Sequence, residues 1–329
     1  MSNNNNGFNT IGENSTVSRR DQRRRTQRTT LIIIVAIAAL MVVAAIVLAI
    51  AFAISNSDND NPSGGPNSDG KVSWTTQIVS AQDVATGDLV LVNGTHQYQF
   101  PETELVAVTE GSGNNSSYKT NGGKMEKNAL VALDQMLVAM ANATGYKSAI
   151  IATGYRSYED QQSLNSSTKA GYSDHHTGRL CAINASDATA NQWLNENAHK
   201  YGFIVRYPEG KEGVTGVSGY TNAYRYVGVA HATMIKGNGW CLEEYVEYLK
   251  ANVTDKTPLT FSDGSYTIYY YTVNGSATIN VPTNYAYTVS GTNDGGIVVT
   301  VSNTPALQET VTDATVDTTP ETSAGVFIP

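Results

Sequence analysis

The sequence predicts an α+β domain, preceded by one transmembrane helix and followed by a small all-β unit. Three observations predict this order: an uncharged apolar run near the N-terminus, mixed helical and strand patterns over residues 72–252, and a Tyr-, Thr- and Val-rich stretch over residues 258–303. The mixed order of helices and strands in the middle segment favours the α+β class. A chain of 329 residues is long enough for about two domains of roughly 150 residues each.

The N-terminal segments predict a membrane anchor. Residues 1–30 are rich in Asn and then Arg, and we expect a disordered cytoplasmic tail. The run 31–54 contains no charge; as a helix it extends roughly 36 Å at about 1.5 Å per residue, enough to cross a hydrocarbon core of about 30 Å. Arginines precede it, which predicts a cytoplasmic N-terminus and an extracellular C-terminal domain in the cell membrane. A cleaved signal peptide is the alternative, but its apolar core is usually about 7–15 residues long. Residues 55–71 predict a flexible linker.

The composition excludes two classes of protein. Residues 1–54 carry a net charge of +4, and the remainder of the chain carries −12. Because phosphate backbones require a basic face, we expect no nucleic acid partner. Cys181 and Cys241 are too few for a disulfide scaffold, and the sequence leaves open whether they are free buried thiols or form one bridge.

Periodicity predicts the elements of the middle domain. The predicted helices cover residues 124–143, a stretch from 158, a stretch capped at Ser186 or Asp187 that runs to about 201, and residues 241–250. The predicted strands lie within residues 88–100, with a turn at Asn93 and Gly94, and over residues 148–153, 203–208 and 223–232.

The C-terminal part predicts hairpins and then a tail. Residues 258–303 are divided by Asn274-Gly275 and by the Gly-containing cluster at 293–296, so we expect three or four strands joined by tight turns. Residues 304–329 are rich in Thr, Pro and Glu and are expected to be disordered.

Five stretches between residues 145 and 250 carry a resemblance: GYRSYEDQ, GYSDHHTG, WLNENAHKYGFIVRYPEGKEGVTG, RYVGVAHA and LEEYVEYL. In content, order and spacing they resemble the VanY-type D-alanyl-D-alanine carboxypeptidase family of zinc peptidases. The resemblance implies a zinc D,D-peptidase fold for residues 72–252. It also implies a relation to enzymes that trim the terminal D-alanine from peptidoglycan stem peptides in the bacterial cell wall.

The resemblance implies a zinc site from which this chain departs. In the family, a His and an Asp in a Ser-x-His…Asp motif and a later His hold the metal, and a Glu is the general base. His175 retains the first ligand, but Ala182 and Ala223 stand at the other two ligand positions, and Tyr220 stands at the position of the base. A methyl group cannot coordinate zinc, and a phenol with a pKa near about 10 is protonated at neutral pH. We therefore expect no cofactor, although the family uses zinc, and we assign no catalytic residue.

Replacement ligands are not evident in the sequence. His176 neighbours His175, and adjacent side chains in an extended segment point to opposite faces. Asp174 and Asp187 suit a loop and a helix cap, and His231 is expected to pack within the strand over residues 223–232.

The substrate side of the resemblance is better preserved. Arg156, Ser157 and Gln161 match residues that line the family's peptide groove, and Ser173 belongs to the same expected substrate-binding set. A guanidinium group suits a carboxylate through paired charge-assisted hydrogen bonds. The alternative for Arg156 is an internal ion pair that orders the turn.

The sequence therefore predicts a membrane-anchored, catalytically inactive VanY-like protein that binds stem peptides or a cell-wall protein through the groove that corresponds to the family's peptide groove. One alternative is an active metallo-D,D-carboxypeptidase with rewired zinc ligands that trims stem peptides. A second is a structural module in which the groove is closed.

Overall fold

The computed structural model of the protein describes residues 72–109 and 117–305. The predicted cytoplasmic tail, transmembrane helix and linker, residues 1–71, lie outside the described residues, as does the predicted C-terminal tail from residue 306 onward. Within the described ranges, no helix has the length and apolar character needed to cross a membrane.

The described ranges contain thirteen strands, six α-helices and three short 3₁₀ turns. The strands are β1 (Trp74–Ser80), β2 (Leu105–Ala107), β3 (Lys119–Thr120), β4 (Lys124–Glu126), β5 (Ile150–Thr153), β6 (Leu180–Asn184), β7 (Phe203–Val205), β8 (Ala223–Tyr226), β9 (Leu259–Thr260), β10 (Tyr266–Thr272), β11 (Ser276–Pro282), β12 (Tyr285–Gly291) and β13 (Gly296–Pro305). The helices are α1 (Lys127–Thr144), α2 (Tyr158–Ser163), α3 (Ala188–Asn197), α4 (Glu212–Thr215), α5 (Val229–Asn238) and α6 (Leu242–Asn252). The 3₁₀ turns cover Asp83–Ala85, Asp174–Thr177 and Ala198–Tyr201.

A five-stranded sheet forms the centre of the α+β domain. Its strand order is β3-β5-β6-β8-β7; β3 pairs with β5 in parallel, and the other neighbours are antiparallel. Helix α1 contributes Leu133 and Leu137 to the core cluster that also contains Cys181 and Ile183 of β6. Because strand side chains alternate between faces, Ala182 points away from α1, toward the opposite face of the sheet.

Helix α1 begins three residues later than predicted. Glu126 caps it, because the Glu126 carboxylate accepts a hydrogen bond from the backbone N–H of Ala129 at 2.9 Å. The preceding residues form β4, which pairs with β2 and buries Met125 completely. Gly145 ends the helix in the left-handed region at φ 74°.

The predicted boundaries of α3 are confirmed. Asp187 caps the helix by accepting from the backbone N–H of Ala190 at 2.8 Å. A 3₁₀ turn continues the helix to Tyr201, and Gly202 ends it at φ 82°. A Cβ atom at Gly202 would lie 2.6 Å from the ring of Tyr226, so the chain requires glycine here for its close approach to β8 as well as for its φ.

Two predicted strands are wrong in part. Residues 88–92 are irregular, although 89–92 are buried, because their backbone groups bond to separate partners: the N–H of Leu91, for example, donates to the carbonyl of Thr292 at 3.0 Å. The strand predicted over residues 223–232 ends at Tyr226, because Gly228 turns the chain at φ 84° and α5 begins one residue later.

His231 therefore lies in a helix and not in the predicted strand. Its Nδ1 lies 2.8 Å from the Tyr245 hydroxyl of α6, and its Nε2 lies 2.9 Å from Oγ1 of Thr300 in β13. Burial lowers its pKa to about 4. The residue has the packing role that was expected, as a buried polar link between two helices and a strand.

The sheet formed by the C-terminal strands is packed against other elements on both of its faces. Strands β12-β13-β10-β9 form one antiparallel sheet, and β1 pairs with β11. In β10, Ile268 and Tyr270 contact the core cluster of α5 and α6, whereas Tyr269 and Tyr271 contact the cluster formed with β1 and β11. The boundary predicted between residues 252 and 258 stays a prediction. Strand β1, at the N-terminal end of the predicted middle domain, pairs with β11 of the C-terminal unit.

Candidate functional site

The loop that carries His175 is anchored by a buried cluster of charges. Asp174 accepts hydrogen bonds from Nε of Arg206 and, at 2.9 Å, from Nε of Arg225, and all three side chains are fully buried. Burial raises the pKa of Asp174, but the two guanidinium groups outweigh this effect and hold its pKa below the ordinary value. Asp174 is therefore ionised and fixes the loop to β7 and β8.

The same arginines connect the loop to two further segments. Arg206 donates to both carboxylate oxygens of Glu243 in α6, at 2.8 and 3.0 Å. Arg225 donates to the carbonyl of Val90 at 3.1 Å, and Arg206 donates to that of Val92 at 3.2 Å. These bonds account for the irregular backbone of residues 88–92.

His175 is buried, with 4% of its surface exposed. Its Nδ1 lies 2.8 Å from the carbonyl oxygen of Gly154, and because a carbonyl only accepts, Nδ1 carries the proton. Nε2 then presents its lone pair to the Tyr220 hydroxyl, which lies 3.1 Å away and donates to it. Burial, and then the nearby charge of Arg156, lower the pKa of His175 to about 4, so the imidazole is neutral at pH 7.

Ala182 and Ala223 lie close to the pair formed by His175 and Tyr220. Ala182 and Ala223 are directly opposite each other in the antiparallel pair β6–β8, and Ala182 also pairs with Thr153 of β5. The Thr153 hydroxyl lies 3.4 Å from the Tyr220 hydroxyl. The structure thus brings together the four positions that the sequence singled out, linked through Thr153.

The residues present do not fit a zinc ion. Structural and catalytic zinc sites use three or four protein donors drawn from His, Cys, Asp and Glu. Here the side chains of Ala182 and Ala223 offer only methyl groups, and the lone pair of His175 Nε2 is engaged by Tyr220. No group of three such donors that could hold a metal occurs in residues 72–109 and 117–305.

His176 offers no replacement donor. It lies in the 3₁₀ turn, so the extended conformation expected for this segment is wrong. Its Nδ1 donates to the carbonyl of Arg156 at 2.7 Å, and its Nε2 accepts from the N–H of Gly171 at 3.0 Å, so both nitrogens are engaged. Ser173, also buried, precedes the turn and accepts from the N–H of His176 through its carbonyl.

The predicted groove residues lie on the loop between β5 and α2 and on that helix. Arg156 is half-buried and donates to the side-chain carbonyl of Gln161 at 2.6 Å, and the Gln161 amide donates to the carbonyl of Thr168 at 2.8 Å. Arg156 forms no ion pair with any residue that the structure describes, so the internal ion pair is not observed. Ser157 caps α2 by accepting from the N–H of Asp160 at 3.0 Å.

Several aromatic neighbours of the site were given no role in the site by the sequence. Phe100 has φ 52°, which is unusual for a bulky residue. Its ring centroid lies 4.9 Å from that of His176 and 6.0 Å from that of Tyr158. Tyr207 stacks on Tyr220 at 5.8 Å. These aromatic contacts join segments distant in sequence, so only the fold reveals them.

Comparisons with known proteins identify the family of the chain. The sequence model of the VanY family, described as D-alanyl-D-alanine carboxypeptidase, matches residues 122–229. A D-alanyl-D-alanine carboxypeptidase of Enterococcus faecium is 32% identical over 243 residues, which cover 68% of this chain and 78% of that relative.

Solved structures resemble the chain as well. The vancomycin-resistance D,D-dipeptidase VanXYg, in complex with a D-Ala-D-Ala phosphinate analogue, aligns with a TM-score of 0.59 at 23% identity, covering 70% of this chain and 99% of that one. A variant of the vancomycin-resistance D,D-pentapeptidase VanY, in complex with Zn(II), aligns with a TM-score of 0.41 at 31% identity, covering 48% of this chain and 98% of that one. The first alignment confirms the predicted α+β peptidase fold.

Proposed function

Because this chain belongs to the D-alanyl-D-alanine carboxypeptidase family, we propose that it is a catalytically inactive, membrane-anchored member that binds peptidoglycan stem peptides outside the cell. A cell-wall protein is the other partner that the sequence suggests for the same groove. The observation that carries the proposal is the contact between the Tyr220 hydroxyl and Nε2 of His175, beside two alanines.

Three losses together support inactivity. A metal-activated water requires an ion held by several donors, and the chain retains one of the three expected ligands. The base position holds Tyr220, whose hydroxyl proton is donated to His175. A neutral His175 with its lone pair occupied neither holds an ion nor accepts a proton from water at pH 7.

Binding is supported by the half-buried guanidinium group of Arg156. Its backbone is fixed, since its N–H donates to the carbonyl of His175 at 3.2 Å and its own carbonyl accepts from His176. One side-chain nitrogen is held by Gln161, and the other guanidinium N–H groups make no hydrogen bond to a described residue, so they are available for a carboxylate. The terminal carboxylate of a stem peptide has the matching charge and planar shape.

Anchoring is supported by the sequence alone. The apolar run over residues 31–54, the arginines before it and the polar linker after it favour a single-pass protein with an external C-terminal domain.

The test measures binding and hydrolysis in the same sample of full-length protein. The probe is an acetylated lysyl-D-Ala-D-Ala peptide, and the same peptide with a C-terminal amide is the control for the carboxylate. We expect binding without release of D-alanine. Arg156→Met should weaken binding about 10- to 100-fold, because a hydrogen bond to a charged group contributes about 1.5–3 kcal/mol. Lys256→Met removes an exposed positive charge elsewhere and should leave binding unchanged.

The outcomes separate the alternatives. Release of D-alanine that is lost in His175→Ala would establish an active enzyme with rewired ligands. Absence of binding, or equal affinity for the acid and the amide, would contradict the peptide-binding proposal and favour a structural module.

A further inference from the structure

A second concave site, which His175 does not line, lies beside the central sheet. It is a cavity of about 870 Å³, lined by strand ends of the sheet, by α3 and the 3₁₀ turn after it, and by the C-terminal end of α5. Ile183 and Tyr224 line it, and they alternate along their strands with Ala182 and Ala223, so their side chains point to the opposite face. The volume is within the range of about 300–1,000 Å³ that is typical of ligand sites.

Two polar groups at this cavity have no partner. Tyr224 is only 3% exposed, yet its hydroxyl makes no hydrogen bond to any residue in the described part of the chain. Nδ1 of His199, another lining residue, is buried and equally lacks a partner among the described residues. Buried polar groups in proteins are nearly always hydrogen-bonded, so the buried Nδ1 of His199 points to a ligand or ordered water at this cavity, and the Tyr224 hydroxyl can bond to the same ligand.

The rim of the cavity combines an aromatic ring with side-chain amides. Trp240 is half-buried, and its ring is held by Tyr248, with the centroids 4.8 Å apart. The amides of Asn195 and Asn222 also line the cavity. A pyranose ring has an apolar C–H face that packs on an aromatic ring and hydroxyl groups that bond to amides, so this combination suits a sugar.

The charges of the lining balance each other. Lys236 and Glu209 line the cavity, and neither forms an ion pair with a residue that the structure describes. Burial, and then the charges of Lys200 and Lys236, lower the pKa of His199, so this imidazole is neutral at pH 7. An anionic ligand would require an excess of positive charge, and a purely apolar ligand would leave the Tyr224 hydroxyl unsatisfied.

We propose that this cavity binds a neutral sugar, with one pyranose ring packed on Trp240 and a sugar hydroxyl bonded to the Tyr224 hydroxyl. The site is separate from the groove of His175 and Arg156, since neither of these residues lines the cavity. Sugar binding and peptide binding are therefore independent properties of the chain.

The test is a calorimetric titration of the full-length protein with N,N′-diacetylchitobiose and with cellobiose, in a detergent without a sugar headgroup. We expect saturable binding of at least one of the two sugars. Tyr224→Phe keeps the ring and removes only the hydroxyl, and it should weaken binding about fivefold. Trp240→Ala should weaken binding at least about tenfold. The matched controls, Tyr287→Phe and Trp74→Ala, alter partly exposed aromatic residues outside the cavity and should leave sugar binding unchanged.

Three results would overturn the proposal. The first is the absence of saturable binding of both sugars at millimolar concentrations. The second is binding that is equally strong in wild type, Tyr224→Phe and Trp240→Ala. His175→Ala should leave sugar binding intact, and a loss in that variant would equally contradict a separate site.

Discussion

Replacement of Asp174 by Asn tests the buried charge cluster that holds the histidine loop. The substitution keeps the shape of the side chain. It leaves the fully buried Arg225 without a carboxylate partner in the cluster, and the fully buried Arg206 with Glu243 alone. Removal of one partner from a buried ion pair costs about 3–5 kcal/mol. We expect the free energy of unfolding to fall by that amount, and the melting temperature to fall by about 6–20 °C, at about 2–4 °C per kcal/mol for a domain of this size.

The assay is urea unfolding, followed by tryptophan fluorescence, with Glu104→Gln as the matched control. Glu104 also forms an ion pair, with Lys127 at 3.1 Å, but the two side chains are more than half exposed. The control should lose less than about 1 kcal/mol. If Asp174→Asn loses no more than the control, the reasoning about the buried cluster is refuted.

The effect of Asp174→Asn on stability should depend on pH. The pKa of Asp174 is lowered in the folded state, so its stabilisation is present above the unfolded pKa of about 3.9 and is lost as pH falls through the folded pKa. The stability difference between wild type and Asp174→Asn should be complete at neutral pH and shrink below about pH 4. A difference that stays constant as the solution is acidified would contradict this assignment.

Two further predictions concern glycine and cysteine positions. Gly202→Ala should lose about 2–5 kcal/mol of stability in urea unfolding, from left-handed strain plus the clash with Tyr226. Gly145→Ala, with a similar φ and open space, should lose about 1–2 kcal/mol, and equal losses would contradict the clash. Burial raises the pKa of Cys181 to about 12 and that of Cys241 to about 11, so neither thiol should react with a disulfide reagent at mildly alkaline pH until the protein is unfolded. Rapid labelling of the native protein would contradict their burial.

The sequence predicts much of the fold because many boundaries depend on local chemistry. Asp187 and Gly202 define α3 and its 3₁₀ extension through a cap and a left-handed residue, and both can be read from neighbouring residues. The end of β8 was missed, because the run after Tyr226 is apolar enough for either a strand or a helix, and only the turn at Gly228 decides. The segment around Val90 was wrongly predicted as a strand, because its hydrogen-bond partners are distant arginines.

The candidate site likewise combines features that could be predicted from the sequence with features that depend on distant partners. The family resemblance implied that His175, Ala182, Ala223 and Tyr220 lie together, and the cross-strand pairs and the His175–Tyr220 contact account for that proximity. The resemblance gave no information about Thr153, because its contact with Tyr220 depends on how strand β5 pairs with its neighbour.

The most direct test of the central claim is the zinc content of the full-length protein after expression in zinc-supplemented medium. A variant that carries Ala182→Asp, Ala223→His and Tyr220→Glu restores the two missing donors beside His175 and the base, and is the matched comparison. We expect less than about a tenth of a zinc ion per chain in wild type and close to one in the variant. About one zinc ion per wild-type chain, lost in His175→Ala, would contradict the account.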